Sequence, residues 1–103
     1  MTTKKSAAVG DLEELAGGRL TLGRCIRSIR EGEGMTQVSL AETLGISKSH
    51  LCDIEKGRKP VSAAKAASFA QTLGYSVKQF VQLALEDSIR RAGLSYKVKI
   101  EAA

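Results

Sequence analysis

Lys48, Ser49, Cys52, Asp53 and Lys56 fall at i, i+1, i+4, i+5 and i+8, a spacing that gathers them on one face of an α-helix. The face carries two ammonium groups, a hydroxyl, a thiol and a carboxylate. It can exchange hydrogen bonds with a polar, charged surface, and it is not equipped for catalysis. The chain has a single histidine, His50, and no dyad forms around it. Cys25, Cys52 and His50 are at most three metal ligands, whereas a structural zinc site wants four with a close pair, and His50-x-Cys52 has the wrong spacing for a shared helical face. Gly32-Glu33-Gly34 is no nucleotide loop, because no strand precedes it and no Gly-Lys-Ser follows. The expectation is a protein without enzymatic activity, metal or cofactor.

Composition narrows the partners. The net charge of +5 over 103 residues suggests a polyanionic partner and says nothing about fold. A chain this short makes one small domain. One proline and abundant Ala, Leu, Lys, Arg and Glu favour helix. No apolar run approaches the ~20 residues that span a bilayer, so no membrane partner is expected. Lys4-Lys5 precedes only Ala7-Ala8-Val9, too short for a signal-peptide core. The expected compartment is the cytoplasm, where Cys25 and Cys52 stay as thiols.

The elements that must position the polar face follow from periodicity. Residues 1–20 read as a flexible arm, with one acidic turn at 11–16. Leu22, Ile26 and Ile29 form the stripe of a first helix, stopped by Gly32 and Gly34. Thr36 caps a second helix, with Met35 packing back on Leu40. Val38, Leu40, Ala41 and Leu44 are its expected buried side, and Gly45 ends it. Ser47 caps a third helix, with Leu51 and Ile54 inward. Ser62 opens a fourth helix around Ala66, Phe69, Ala70 and Leu73. Ser76 opens a fifth with Val77, Phe80, Val81, Ala84 and Leu85 inward, and Gly93 stops it. The helical unit spans 21–93. In 94–103 the period changes: Leu94, Tyr96, Val98 and Ile100 alternate with polar residues, a strand pattern. A lone strand needs a partner from outside the chain, and a second copy is the simplest source.

Two short helices joined by Leu44-Gly45-Ile46 make a helix-turn-helix, whose second helix offers its N-terminal half to the major groove of DNA. The same pattern also fits an ordinary helical hairpin with a solvated outer face. Resemblance separates the two. Residues 22–81, through "LGRCIRSIREGEGMTQVSLAETLGISKSHLCDIEKGRKP" and "FAQTLGYSVKQFV", resemble the Cro/C1-type (XRE) helix-turn-helix family of regulators. The resemblance implies an all-α, five-helix, lambda-repressor-like domain that binds operator DNA, usually as a dimer; the alternation of the tail, not the resemblance, adds a C-terminal β-strand extension used in dimerisation.

The resemblance also implies roles for single residues. Lys48, Ser49 and Asp53 match positions that read base edges, with Ser47 and His50 beside them. Lys48 can donate to guanine, and Asp53 can accept from cytosine or pair with Ser49. Thr36 and Gln37 at the second helix's start, Lys56, and Arg58 beyond the third helix fall where backbone contacts are expected. Arg30 and Glu55 match an ion pair that fixes the third helix. Leu94, Tyr96, Val98 and Ile100 are the expected dimerisation residues. The expected function is a sequence-specific transcriptional regulator, a repressor binding a near-palindromic double-stranded operator as a homodimer. The alternative is the antitoxin of a toxin–antitoxin pair, which binds a toxin protein and represses its own operon.

Overall fold

A computed structural model describes residues 20–103. Five α-helices lie among the described residues: α1 Leu22–Gly32, α2 Gln37–Leu44, α3 Lys48–Glu55, α4 Ala63–Leu73 and α5 Val77–Arg91. Each starts the same way. The side-chain oxygen of Thr21, Thr36, Ser47, Ser62 or Ser76 accepts the backbone N–H three residues on, satisfying one of the amides a helix start leaves free.

One core joins the five. Leu22, Cys25, Ile26 and Ile29 of α1 meet Leu40 and Ala41 of α2, Leu51 and Ile54 of α3, Phe69 and Leu73 of α4, and Phe80 and Leu83 of α5. Cys25 fills the i+3 place in the α1 stripe. Burial pushes its thiol up to about 12, so it packs as a small apolar group and not as a nucleophile. Ala66, Ala70 and Ala84 are also buried and let α4 and α5 pack along each other. Leu20, the last residue of the expected arm, is buried with the core. Residues 1–19, including the expected acidic turn, lie outside the described residues.

Three expectations are corrected. Val38 is half-exposed, because α2 turns only Leu40 and Ala41 fully inward. On α5 the buried set is Phe80, Leu83 and Ala84, while Val77 and Leu85 face outward. The i, i+3, i+4 set starting at Phe80 fixes the face, and Leu85 lies past its edge.

The C-terminal β-strand extension is absent: residues 94–103 contain no strand. After Gly93 the Leu94 N–H returns to the Ile89 carbonyl at 3.1 Å, and the Val98 N–H donates to Glu86 Oε2 on α5 at 3.0 Å. Every regular element among the described residues is a helix, so no sheet edge is available to Leu94, Tyr96, Val98 and Ile100. Their alternation has no ladder to join, and one tail amide takes a side-chain carboxylate instead.

Candidate nucleic-acid interface

The turn between α2 and α3 explains why the helical pattern breaks and restarts. Gly45 adopts φ +72°, the left-handed conformation that ends α2 without the strain a Cβ would bring. Its N–H bonds the Glu42 carbonyl at 3.1 Å, and the Ile46 N–H bonds that of Ala41 at 3.0 Å. Ile46 packs against the core. Ser47 Oγ then accepts the His50 N–H at 3.0 Å and starts α3.

Leu51, Ile54 and Glu55 are buried on the inner face of α3. Lys48, Ser49 and Lys56 are exposed on the outer face, with Cys52, Asp53 and His50 half-buried beside them. The hydroxyls of Ser47 and Thr36 are committed to caps at the starts of α3 and α2.

A polar clamp fixes this helix. Arg30 Nε donates to Glu55 Oε2 at 2.8 Å, and Arg30 Nη2 to Oε1 at 3.1 Å. Gln37 Nε2 donates to the same Oε1 at 3.1 Å, and Arg30 Nη1 reaches the Met35 carbonyl at 3.1 Å. Arg30 from α1 and Gln37 from α2 thus converge on one carboxylate of α3 whose side chain is only 2% exposed. Charge-assisted, two-pronged bonds of this kind set orientation as well as distance. The bond to Glu55 holds the Arg30 guanidinium above its already high ordinary value.

Asp53 is engaged inside the chain. Its carboxylate lies 3.2 Å from Arg58 Nε and 3.8 Å from Lys59 Nζ, not against Ser49. Gly57, at φ +74°, reverses the chain after α3 and brings these cations back over Asp53. Arg91 supports the turn from α5, its Nη2 donating to the Gly57 carbonyl at 2.9 Å. Gly23 in the first turn of α1 and Asp87 on α5 carry no role in the sequence pattern, and Lys59 and Arg91 read there only as a basic extension and a helix-end charge. Asp87 accepts the Leu22 N–H at 3.0 Å across 65 positions and pairs with Arg90; no local spacing signals such a contact. Lys59 did carry a signal, since it continues the basic run of Arg58.

Among the described residues no group of three or more His, Cys, Asp or Glu could hold a metal ion. No helix there is long and apolar enough to cross a membrane.

Two short helices held across a left-handed glycine, with the second clamped from behind and polar in front, define a helix-turn-helix protein. Residues 21–80 match the family described as "Helix-turn-helix domain", and the chain belongs to that family. Over 62 residues it is 39% identical to the immunity repressor protein of Bacillus phage phi105, covering 60% of this chain and 43% of the relative. Over 65 residues it is 34% identical to the competence pilus inhibition repressor of Acinetobacter baylyi, covering 63% of this chain and 59% of the relative. The chain therefore spans less than two thirds of either relative. The fold is similar to the crystal structure of the clp gene regulator ClgR from Corynebacterium glutamicum, with a TM-score of 0.53 and 39% identity over 62% of this chain and 82% of that one.

Proposed function

We propose that this protein is a transcriptional repressor that seats α3 in the major groove of a near-palindromic, double-stranded operator as a homodimer. The carrying observation is the two-sided build of α3. Its inner face is locked by Glu55 to Arg30 and Gln37, while Lys48 and Ser49 at its N-terminal end stand free in solvent. A helix fixed from behind with small polar groups in front fits groove entry; a solvated surface helix needs no such clamp. In this reading Lys48 and Ser49 read bases. Thr36, Gln37, Ser47 and His50 border the phosphates, and Lys56 and Arg58 contact them. The similarity to proteins named as repressors supports repression over activation. Leu94 and Tyr96, exposed on the tail beside half-buried Val98 and Ile100, offer an apolar surface to the second copy. The compartment that follows is the cytoplasm.

Selection of bound sites from random duplex DNA tests the reading. A palindromic motif is expected, with half-sites about one helical turn, roughly 34 Å, apart. Lys48→Ala and Ser49→Ala each relax one base position by about 1–3 kcal/mol. Lys56→Ala weakens all sequences alike and flattens the salt dependence. An unchanged motif with Lys48→Ala would show that α3 is not the reading helix.

A further inference from the structure

Asp53 lies on the outer side of α3, yet it is held from within the chain at two levels. Its carboxylate faces Arg58 Nε at 3.2 Å and Lys59 Nζ at 3.8 Å. Its backbone carbonyl accepts the N–H of Arg58 at 2.8 Å and that of Lys59 at 3.3 Å. The two cations are therefore folded back onto one residue by a turn that Arg91 braces from α5. Arg58 and Lys59 remain 59% and 58% exposed, against 29% for Asp53. Bridges this wet contribute little to folding, so stability does not account for the arrangement. A carboxylate spanning a guanidinium and an ammonium occupies the place a phosphate would take between the same two groups.

We propose that Asp53 is an internal stand-in for a DNA phosphate: it keeps Arg58 and Lys59 paired and offsets one of their two charges in the free protein, and the DNA backbone displaces it on binding. This rests on the DNA-binding reading above. Asp53 then sets affinity and salt dependence for every sequence and reads no base. The physical reason is counterion release. Each cation that reaches a phosphate free of a partner adds to the salt-dependent part of binding; one that must first leave a carboxylate adds less.

The test uses the full chain, its Asp53→Asn variant, the Arg58→Gln/Lys59→Gln variant and the triple variant. Binding to the selected duplex and to a scrambled duplex of equal length is measured by fluorescence anisotropy across a salt series. Asp53→Asn is expected to bind both duplexes on the order of ten-fold tighter at low salt, with a slope steeper by about one ion. Its selected motif stays that of the parent. In the Arg58→Gln/Lys59→Gln background the Asp53→Asn effect disappears. A motif altered at one base pair would make Asp53 a base reader and overturn the proposal. So would a gain undiminished in the double-variant background, which would be plain removal of a negative charge near DNA, or an unchanged or weaker affinity. Should Asp53→Asn lose its cooperative helical melt, Asp53→Ser takes its place with the same expected outcomes. A parent chain that binds neither selected nor scrambled duplex overturns the DNA-binding reading itself.

Discussion

Gly23 on α1 lies so close to the Ile54 carbonyl on α3 that a Cβ built on it would sit 2.0 Å from that oxygen. The obstacle is backbone, not the end of a flexible side chain, so it cannot swing aside. The contact brings α1 against the C-terminal half of α3, the stretch that also holds Glu55. Bare backbone on one side is what lets the two helices approach this far.

Gly23→Ala is therefore expected to push α1 from α3 and to destabilise the fold by at least about 1–3 kcal/mol, the range for overpacking a tight core. Helix propensity works the other way, favouring alanine by about 1 kcal/mol inside a helix. Thermal melting without DNA separates the two effects. A midpoint equal to or above the parent's would mean that the helices can part at no cost.

The Arg30–Glu55 pair predicts an asymmetry. Arg30→Ala leaves a carboxylate that is 2% exposed with Gln37 as its remaining side-chain donor. Glu55→Ala leaves a guanidinium that is 14% exposed and still bonded to the Met35 carbonyl. Stranding a buried charge costs about 3–5 kcal/mol. Arg30→Ala is expected near that range and Glu55→Ala below it, both read as melting midpoints of the free protein. Equal, negligible changes would show that the clamp does not hold the fold.

Asp87 predicts a dependence on pH. Burial raises its carboxyl above the ordinary range, only partly opposed by the Leu22 N–H and by Arg90. The folded chain then holds this proton to higher pH than the unfolded chain does. Asp87's contribution to stability is complete below about pH 4, the ordinary aspartate value, and is lost as pH rises through the raised range. Asp87→Asn keeps an acceptor for the Leu22 N–H and removes the titration. The parent should gain on this variant as pH falls from 7 to 4. Asp87→Ala also loses the acceptor and lies about 1 kcal/mol below Asp87→Asn at every pH, as a lost helix cap does. Parallel melting curves for parent and Asp87→Asn across pH would refute the linkage.

What was legible in the sequence was whatever depends on neighbours along a helix. Thr36, Ser47, Ser62 and Ser76 announce helix starts, because capping is a contact three residues long. Gly45 announces the turn, because the left-handed region admits few other residues. What was hidden depends on contacts between distant elements. Gly23 reads as an indifferent glycine inside α1 until Ile54 is placed against it. Asp87 reads as a solvated acid until Leu22 arrives from 65 positions away. Asp53 continues the outer stripe of α3, and only the reversal at Gly57 reveals that Arg58 and Lys59 close over it. The tail fails for a further reason. Alternation records which side chains are apolar, but a strand also needs a neighbouring backbone, and the described chain offers none.

The tail nonetheless carries apolar side chains without a place in the core. Tyr96 is 69% exposed and Leu94 is 52% exposed. A single exposed apolar residue is ordinary; two of them on a short segment that holds to α5 through Glu86 are the residues the proposed dimer would bury. A dimer formed there would bind two half-sites at once, and the second contact would be made at high effective concentration. Truncation after Gly93 is expected to leave the helical melt nearly intact, since no residue beyond it belongs to the core. The truncated protein should sediment as a monomer. Its affinity for the two-half-site operator should fall by roughly 10²–10⁴, the range for losing a linked second site, while affinity for one isolated half-site stays that of the parent. A truncated chain that remains dimeric, with full operator affinity, would move the dimer contact to another surface and leave the tail to a different partner, a toxin protein among the candidates.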